Sequence, residues 1–429
     1  MKIINSQNLT ILLFIIPLSF IIGIALTEFF VFFCIIFFLI FNKDKFLFID
    51  TKVIFLFLFS AFILINAYLK ISDDLKLGSI FYFRYVLFSL AIFYFCNLLD
   101  ESRDKKYFFL LIFFLLILII DSLFQFFYGF NSLGFKITGD RVSSFFNDEL
   151  ILGSFLVRLM PIILWFIFSL KIDLKKNIFF ITIFFSLYFI TIYISGGRTS
   201  FFLWFVTILG LLVVIKDLRK ILLYSITILI FFIFITANFD IGNANTFNRL
   251  FVKTYNQITK IEINTNKSDT RLKNESKKFN IYSEDHEGHI LLALNLFDEN
   301  KISGIGPKGF KDYCRKVKYK PKVGICSTHP HNILIQIISE LGLIGLGFYI
   351  IAAVFVLLNF FKSIFKYKFN KDYLSFYLTT LGLIINLFPL IPGGNFFNNW
   401  ISIILYYNVG LYLYSYKKCN LKWSAYFLE

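Results

Sequence analysis

The chain has 429 residues, of which 58% are hydrophobic, 21% aromatic and only 16% charged, with a mean hydropathy of +0.74. A soluble domain carries roughly 25% charged and about 45–50% apolar residues, so a soluble globular enzyme, a disordered chain and a collagen-like fibre are excluded. The formal charge of +16 bears on orientation before it bears on nucleic acid, because basic residues of a multi-span protein gather in the loops on one side.

A spanning helix needs about 20 mostly apolar residues. The sequence predicts twelve: 9–26, 28–41, 53–69, 78–99, 107–127, 150–170, 177–194, 201–215, 221–238, 332–358, 373–391 and 399–416. The expected fold class is an all-α polytopic membrane protein with about twelve transmembrane helices. Lys2 and the apolar run behind it resemble a signal peptide, but no small-x-small cleavage site follows and Glu28 leads into more hydrocarbon. The segment therefore reads as a retained helix. Twelve spans place both termini on one side. With that side cytoplasmic, the inside loops hold twenty Lys and Arg, against five in the short outside loops (Lys70, Lys76, Lys136, Arg141 and Arg198). The expectation is cytoplasmic termini.

Three regions follow: 1–238 with nine spans, an exterior loop at 239–331, and 332–429 with three spans and a tail. The loop holds 93 residues, 16 basic and 10 acidic. Its stretch 253–280, rich in Lys, Asn, Thr and Ser, reads as a solvated face. HILLALNLFDEN at 289–300 puts Ile290, Leu291, Leu294 and Phe297 on one helical face, as in a helix lying at the membrane surface or against the bundle. GIGPKGF at 304–310 then ends that helix. Its glycines permit close backbone approach to a ligand beside Lys308, or simply a turn.

Four places put polar groups where a membrane protein has reason to avoid them. In SGGRTS (195–200), Arg198 sits on a short connection, with Ser195, Thr199 and Ser200 placed to cap the next helix. An Arg beside a helix N-terminus makes an anion site suited to phosphate; a snorkelling Arg at the interface is the bland alternative. RVSSFFNDELILGSF (141–155) carries Arg141 and leads to Arg158 inside a span, where a charge is costly unless it faces a polar cavity. Arg84 and Asp121 invite the same reading, or pair with each other. CSTHPHNILIQIISELG (326–342) presents His329, His331 and Asn332 around Pro330, and a histidine there can take a proton from a hydroxyl near neutral pH. DHEGH (285–289) misses the HExxH zinc-protease spacing. Cys314 and Cys326 either form a disulfide in an oxidising exterior or join His329 and His331 in a zinc site; the oxidising compartment favours the disulfide. Cys34, Cys96 and Cys419 read as thiols.

These segments together resemble the O-antigen ligase and O-antigen polymerase superfamily of bacterial envelope proteins. THPHNILIQIISELGLIG (328–345) is similar to the family's His-Asn element running into a helix. NLFDENKISGIGPKGF resembles its glycine-containing segment, SGGRTSFF its short periplasmic loop with a functional Arg, and RVSSFFND an earlier Arg-containing loop. The resemblance covers the topology, but its specific motifs total about forty residues. It implies a fold like the C-type glycosyltransferases, and a metal-independent enzyme without cofactor in the bacterial inner membrane. Its substrates would be an undecaprenyl-pyrophosphate-linked glycan and an acceptor hydroxyl on lipid A core or another glycan, in the presence of membrane lipids and without nucleic acid. Carried over, Arg198 would hold the pyrophosphate, His331 would activate or orient the acceptor, and Arg141 would assist, with Arg158, His329, Asn332 and Lys308 around them. Many members carry an Arg near the start of the amphipathic helix, where this chain has His286; His286 would serve there only if protonated. A transporter would explain the spans and intramembrane charges, but not a large exterior loop with histidines, and neither repeated halves nor broken mid-membrane helices are visible.

Overall fold

The computed structural model describes residues 6–42, 48–70, 79–239, 241–259, 284–316, 326–367 and 372–426. In chain order the helices are α1 (Ile11–Ile22), α2 (Ile24–Phe41), α3 (Thr51–Lys70), α4 (Arg84–Asn97), α5 (Glu101–Tyr128), α6 (Leu152–Ser169), α7 (Ile178–Ile194), α8 (Arg198–Val214) and α9 (Arg219–Asn238). There follow α10 (Lys253–Thr259), α11 (Glu284–Glu299), α12 (Phe310–Arg315), α13 (Ile333–Tyr367), α14 (Tyr373–Asn386) and α15 (Asn399–Tyr426). Among the described residues, six helices are long and apolar enough to cross a membrane and five shorter ones are apolar; the only extended pairing is two isolated bridges, Phe130–Lys136 and Thr138–Arg141. The chain is an all-α polytopic membrane protein, the only backbone solution besides a closed barrel that satisfies its own hydrogen bonds in lipid.

Each predicted span has its helix. The bounds differ at several: α1 stops at Ile22 rather than 26 and α14 at Asn386 rather than 391, α5 starts at Glu101 rather than 107, and α13 and α15 run on to Tyr367 and Tyr426 rather than 358 and 416. Of the predicted solvated stretch 253–280, everything from 260 on lies outside the described residues.

Lipid offers no hydrophobic drive between helices, so polar contacts and close packing hold the bundle. Trp165 Nε1 donates to Ser415 Oγ (3.0 Å), joining α6 to α15. The Tyr407 hydroxyl donates to the Leu13 carbonyl of α1 (2.7 Å), and that of Tyr188 to Leu156 of α6 (2.6 Å). Longest among the early spans, α5 starts where Asp100 caps the amides of Ser102 and Arg103 (3.1 and 2.8 Å) and ends at Gly129 in a left-handed conformation. Near its C-terminal end, buried Asp121 accepts from the Ser132 amide (2.9 Å), Asn131 and Ser144, while Gln125 Oε1 accepts from the Ser143 and Ser144 amides (3.0 and 2.6 Å). These bonds fold residues 129–150 back over the bundle. Asp121 and Arg84 therefore do not pair: Arg84 is bound instead to Glu28 at 2.9 Å.

The surface helix α11 exists, but its buried face is not the predicted one. His289, Leu292, Ala293 and Leu296 are buried, whereas Leu291 and Leu294 are 55% and 38% exposed. The buried set follows helical spacing and packs on Ile305, Phe310 and Cys314, partners that a reading of the helix alone does not see. Cys314 and Cys326 are joined by a disulfide, S–S 2.04 Å; with its thiols so engaged, the alternative zinc set lacks its sulfur ligands. Chain entropy for so short a loop is worth about 3 kcal/mol. Cys314→Ser is expected to lower the melting temperature of the segment around α11 and α12, and alkylation of both thiols without reductant would contradict the bond.

Candidate active site

Three arginines meet around Gly196 and Gly197. Arg198 opens α8 and donates to the Arg249 carbonyl (3.3 Å) and Gln257 Oε1 (2.6 Å). Arg249 donates to the carbonyls of Gly196 and Gly139 (3.0 Å each). Arg141 donates to the carbonyls of Leu150 (2.5 Å) and Ser195 (3.4 Å). Among the described residues, none of the three makes a salt bridge to a carboxylate. Burial, and secondarily the Arg249 charge, pushes Arg141 down to about 10. Cations held together by neutral carbonyls at the positive end of α8 form a site that gains from an anion. The hydroxyls predicted to cap α8 turn away from it: Ser195 donates to Ile192, Ser200 to Gly197, and Thr199 to Pro392 (2.8 Å).

The last of these bonds leads to the second half of the site. Residues 388–395, between α14 and α15, form a strap gripped from both sides. On one side are Thr199 and the Phe202–Phe388 ring pair (5.8 Å). On the other, the Gly393 amide donates to the His331 carbonyl (2.6 Å), the Asn332 side chain to Pro389 (2.8 Å), and His329 Nε2 to the Gly393 carbonyl (3.3 Å). His331 is held at φ 58, a left-handed conformation uncommon for a side-chain-bearing residue and concentrated at functional sites.

Every histidine of the chain converges here. The rings of His329, His286 and His289 stand 4.1, 5.0 and 5.4 Å from that of His331, and Ser327 Oγ lies 2.9 Å from its Nε2. Burial first, then the neighbouring histidines, pushes His331 down to about 3; burial holds His329 at about 4. Both are neutral at physiological pH, the form that accepts a proton. The DHEGH segment thus contributes to this cluster from α11. Asn332 stands at the start of α13: its Oδ1 caps the Ile335 amide (3.1 Å) and its side-chain amide donates to the Pro389 carbonyl (2.8 Å).

GIGPKGF also differs. Gly304 and Gly342 allow two backbones to touch: a Cβ on Gly304 would sit 2.3 Å from the Glu340 carbonyl carbon, and one on Gly342 2.4 Å from the Ile302 oxygen. Gly342 breaks α13 at φ 65, and the amides of Ile305 and Gly306 fill the opened turn at Ser339 and Glu340 (3.0 and 2.9 Å). The close approach is chain on chain, not chain on ligand. Glu340, fully buried, accepts from the Lys308 and Phe310 amides and from Gln336 (3.0, 3.2 and 3.0 Å), and Gln336 reaches Asn395 of the strap (2.8 Å). Lys308 itself lies toward Arg84 and Glu28, with burial and the Arg84 charge lowering its ammonium. Arg158 is buried in α6, donating to the Ser154 carbonyl (3.2 Å) with Trp400 5.7 Å away.

Two parts of this site escape a sequence reading. Arg249 is one of sixteen basic residues in the large loop, with no spacing to single it out. The strap carries no titratable group; its one signal is Pro392-Gly393-Gly394 between two spans.

Residues 183–350 match the family model described as O-antigen ligase. The match takes in Arg198, Arg249, the four histidines and Glu340, and leaves out Arg141, Arg158 and the strap. No curated protein matches the chain. The multi-pass helical bundle thus carries, over residues 183–350, a segment similar to the O-antigen ligase family.

Proposed function

We propose that the protein transfers a glycan from polyprenyl pyrophosphate to an acceptor hydroxyl at the exterior face of the inner membrane. The carrying observation is the strap, which ties an uncompensated arginine cluster to a neutral, buried histidine. In this reading the acceptor oxygen attacks the anomeric carbon from the face opposite the pyrophosphate, and the carbon–oxygen bond to phosphate breaks. The acceptor proton passes to His331. The negative charge that develops on the leaving polyprenyl pyrophosphate, added to the two its phosphates already carry, is met by Arg198, Arg249 and Arg141, whose planar donors match phosphate oxygens. Burial, and then the neighbouring His329, His286 and His289, keep His331 neutral. The chemistry asks for no metal or cofactor.

The family description supports the ligase reaction, in which the acceptor is lipid A core; a polymerase reaction joining lipid-linked units is the second reading. Deleting the gene and separating the envelope glycans by electrophoresis tests both. Loss of all attached chains is the ligase outcome, single-unit attachment the polymerase outcome, and an unchanged pattern contradicts glycan transfer.

Orientation belongs to the same proposal. The excess of Lys and Arg in the short loops supports cytoplasmic termini, with 1–238 and 332–429 as the membrane regions and 239–331 as the periplasmic one. Thr265→Cys is expected to react with a membrane-impermeant maleimide applied from outside, and Ser363→Cys is not; the reverse pattern would invert the topology.

A further inference from the structure

The imidazole of His331 is held at both ends. Its main chain is fixed by the strap, where the Gly393 amide donates to the His331 carbonyl (2.6 Å), and by a φ of 58 that sets the direction in which the ring leaves the chain. Its ring is held by Ser327, whose Oγ lies 2.9 Å from Nε2. The residue before Ser327 is Cys326, bonded to Cys314. Cys314 belongs to α12 and is buried in one cluster with Leu292, Ala293 and Leu296 of α11 and with Ile305 and Phe310. Ser327 is therefore one residue away from a covalent tie into packed helix, not a hydroxyl on a loose loop. The His329 ring, 4.1 Å from that of His331 and tilted by 45°, leaves the imidazole little room to turn.

A neutral imidazole carries one N–H and one lone pair, and the bond made by one nitrogen decides which form the other takes. The base of the transfer step needs its lone pair turned toward the acceptor. The nitrogen already engaged by an anchored side chain is not the one that meets a substrate. Nε2 then carries the hydrogen and donates to Ser327 Oγ, which leaves the Nδ1 lone pair for the acceptor proton. Once Nδ1 takes that proton the ring is an imidazolium, and the Nε2–H bond to the serine oxygen becomes charge-assisted. In a Ser-His-Asp triad a carboxylate orients the histidine and stabilises its charged form. A hydroxyl fixes the ring without that negative charge, which suits an imidazole that burial keeps neutral.

We propose that Ser327 is the positioning residue of this site: through Nε2 it fixes the tautomer in which Nδ1 of His331 is the base, and the Cys314–Cys326 disulfide holds Ser327 in place to do so. The proposal rests on the glycan-transfer reading above and assigns the reacting nitrogen within it.

The test uses full-length protein in nanodiscs, isotopically labelled at the histidine ring nitrogens and observed by nitrogen NMR. The His331 signals are those missing from His331→Gln. In the native protein Nε2 is expected to be protonated and Nδ1 bare. Ser327→Ala should give a mixture of both tautomers, and Ser327→Thr, which keeps the hydroxyl, should restore the single form. Replacing Cys314 and Cys326 together by serine should act as Ser327→Ala does; should that variant fail to accumulate, the two Ser327 variants decide. Turnover is read with a glycan on undecaprenyl pyrophosphate as donor and lipid A core as acceptor. Ser327→Ala is expected to lower kcat by about tenfold to a hundredfold, the usual cost of losing the partner that fixes an imidazole's tautomer, with the acceptor KM unchanged and Ser327→Thr close to the native rate. An Nδ1–H tautomer in the native protein, a single unchanged tautomer in Ser327→Ala, or a loss carried by the acceptor KM would overturn the proposal. The spectra need no turnover, so the two readings fail separately: the expected tautomer, lost in Ser327→Ala, in a protein that transfers no glycan contradicts only the transfer reading.

Discussion

Alanine at Arg198 or at Arg249 is expected to abolish glycan transfer while the protein stays in the membrane at normal abundance. Losing one preorganised donor to developing oxyanion charge typically costs about 10²–10³ in rate, and these two are linked, since Arg198 donates to the Arg249 backbone. Arg198→Lys should be nearly as impaired, because an ammonium cannot reproduce the bidentate fork. Arg249 also props Gly196 and Gly139, a geometry that suits a strut as well as an anion ligand. The two roles separate on stability. Removing a strut lowers abundance and melting temperature along with activity. Removing an anion ligand abolishes turnover and the binding of polyprenyl pyrophosphate in a protein that still folds.

His331→Ala is expected to lower turnover by about 10²–10⁴, the usual range for a general base, and His331→Gln should not restore it. His329→Ala should be milder, since His329 is spent on Gly393 and Thr328. The pH dependence carries a sign. His331 acts as a base only when neutral, and burial with its three histidine neighbours pushes it from 6.5 down to about 3. No acid limb near pH 6.5 is therefore expected in kcat/KM; activity should persist until the pH falls well below 5. Stability moves with the same groups. In the unfolded chain His329 and His331 take protons below about 6.5, while in the folded chain they stay neutral to about 4 and about 3. The unfolded state binds more protons in that window, so stability is full above pH 6.5 and declines as pH is lowered through it. A kcat/KM profile with a pKa near 6.5 that vanishes in His331→Gln would contradict the depressed value.

The spans were legible because twelve blocks of apolar residues leave a membrane chain few alternatives, and because backbone in lipid must close its own hydrogen bonds. Arg198 and His331 stood out for a related reason: a guanidinium on a two-glycine connection and an imidazole next to Pro330 sit where a membrane protein has cause to avoid them. What the sequence concealed are relations between distant segments. Residue spacing along α11 could not tell Leu292 from Leu291 without knowing that Phe310 and Cys314 lie beneath. The glycines of 304–310 read as a plain turn or a ligand cradle because the broken turn at Gly342, which they fill, is more than thirty residues away. Ser195 and Ser200 near Arg198 were expected to cap α8, yet each donates to a carbonyl three residues back. Arg249 gained its meaning only from Gly196 and Arg198 beside it.

The most direct measurement is transfer by the purified, full-length protein in nanodiscs, supplied with a glycan on polyprenyl pyrophosphate and an acceptor, and followed by release of free polyprenyl pyrophosphate alongside the extended acceptor. The account predicts that both products appear in equal amounts without nucleotide sugar, with and without chelator, and that Arg198→Ala and His331→Ala each remove them. Full activity in either variant, a requirement for nucleotide sugar, or a strict requirement for metal would contradict it.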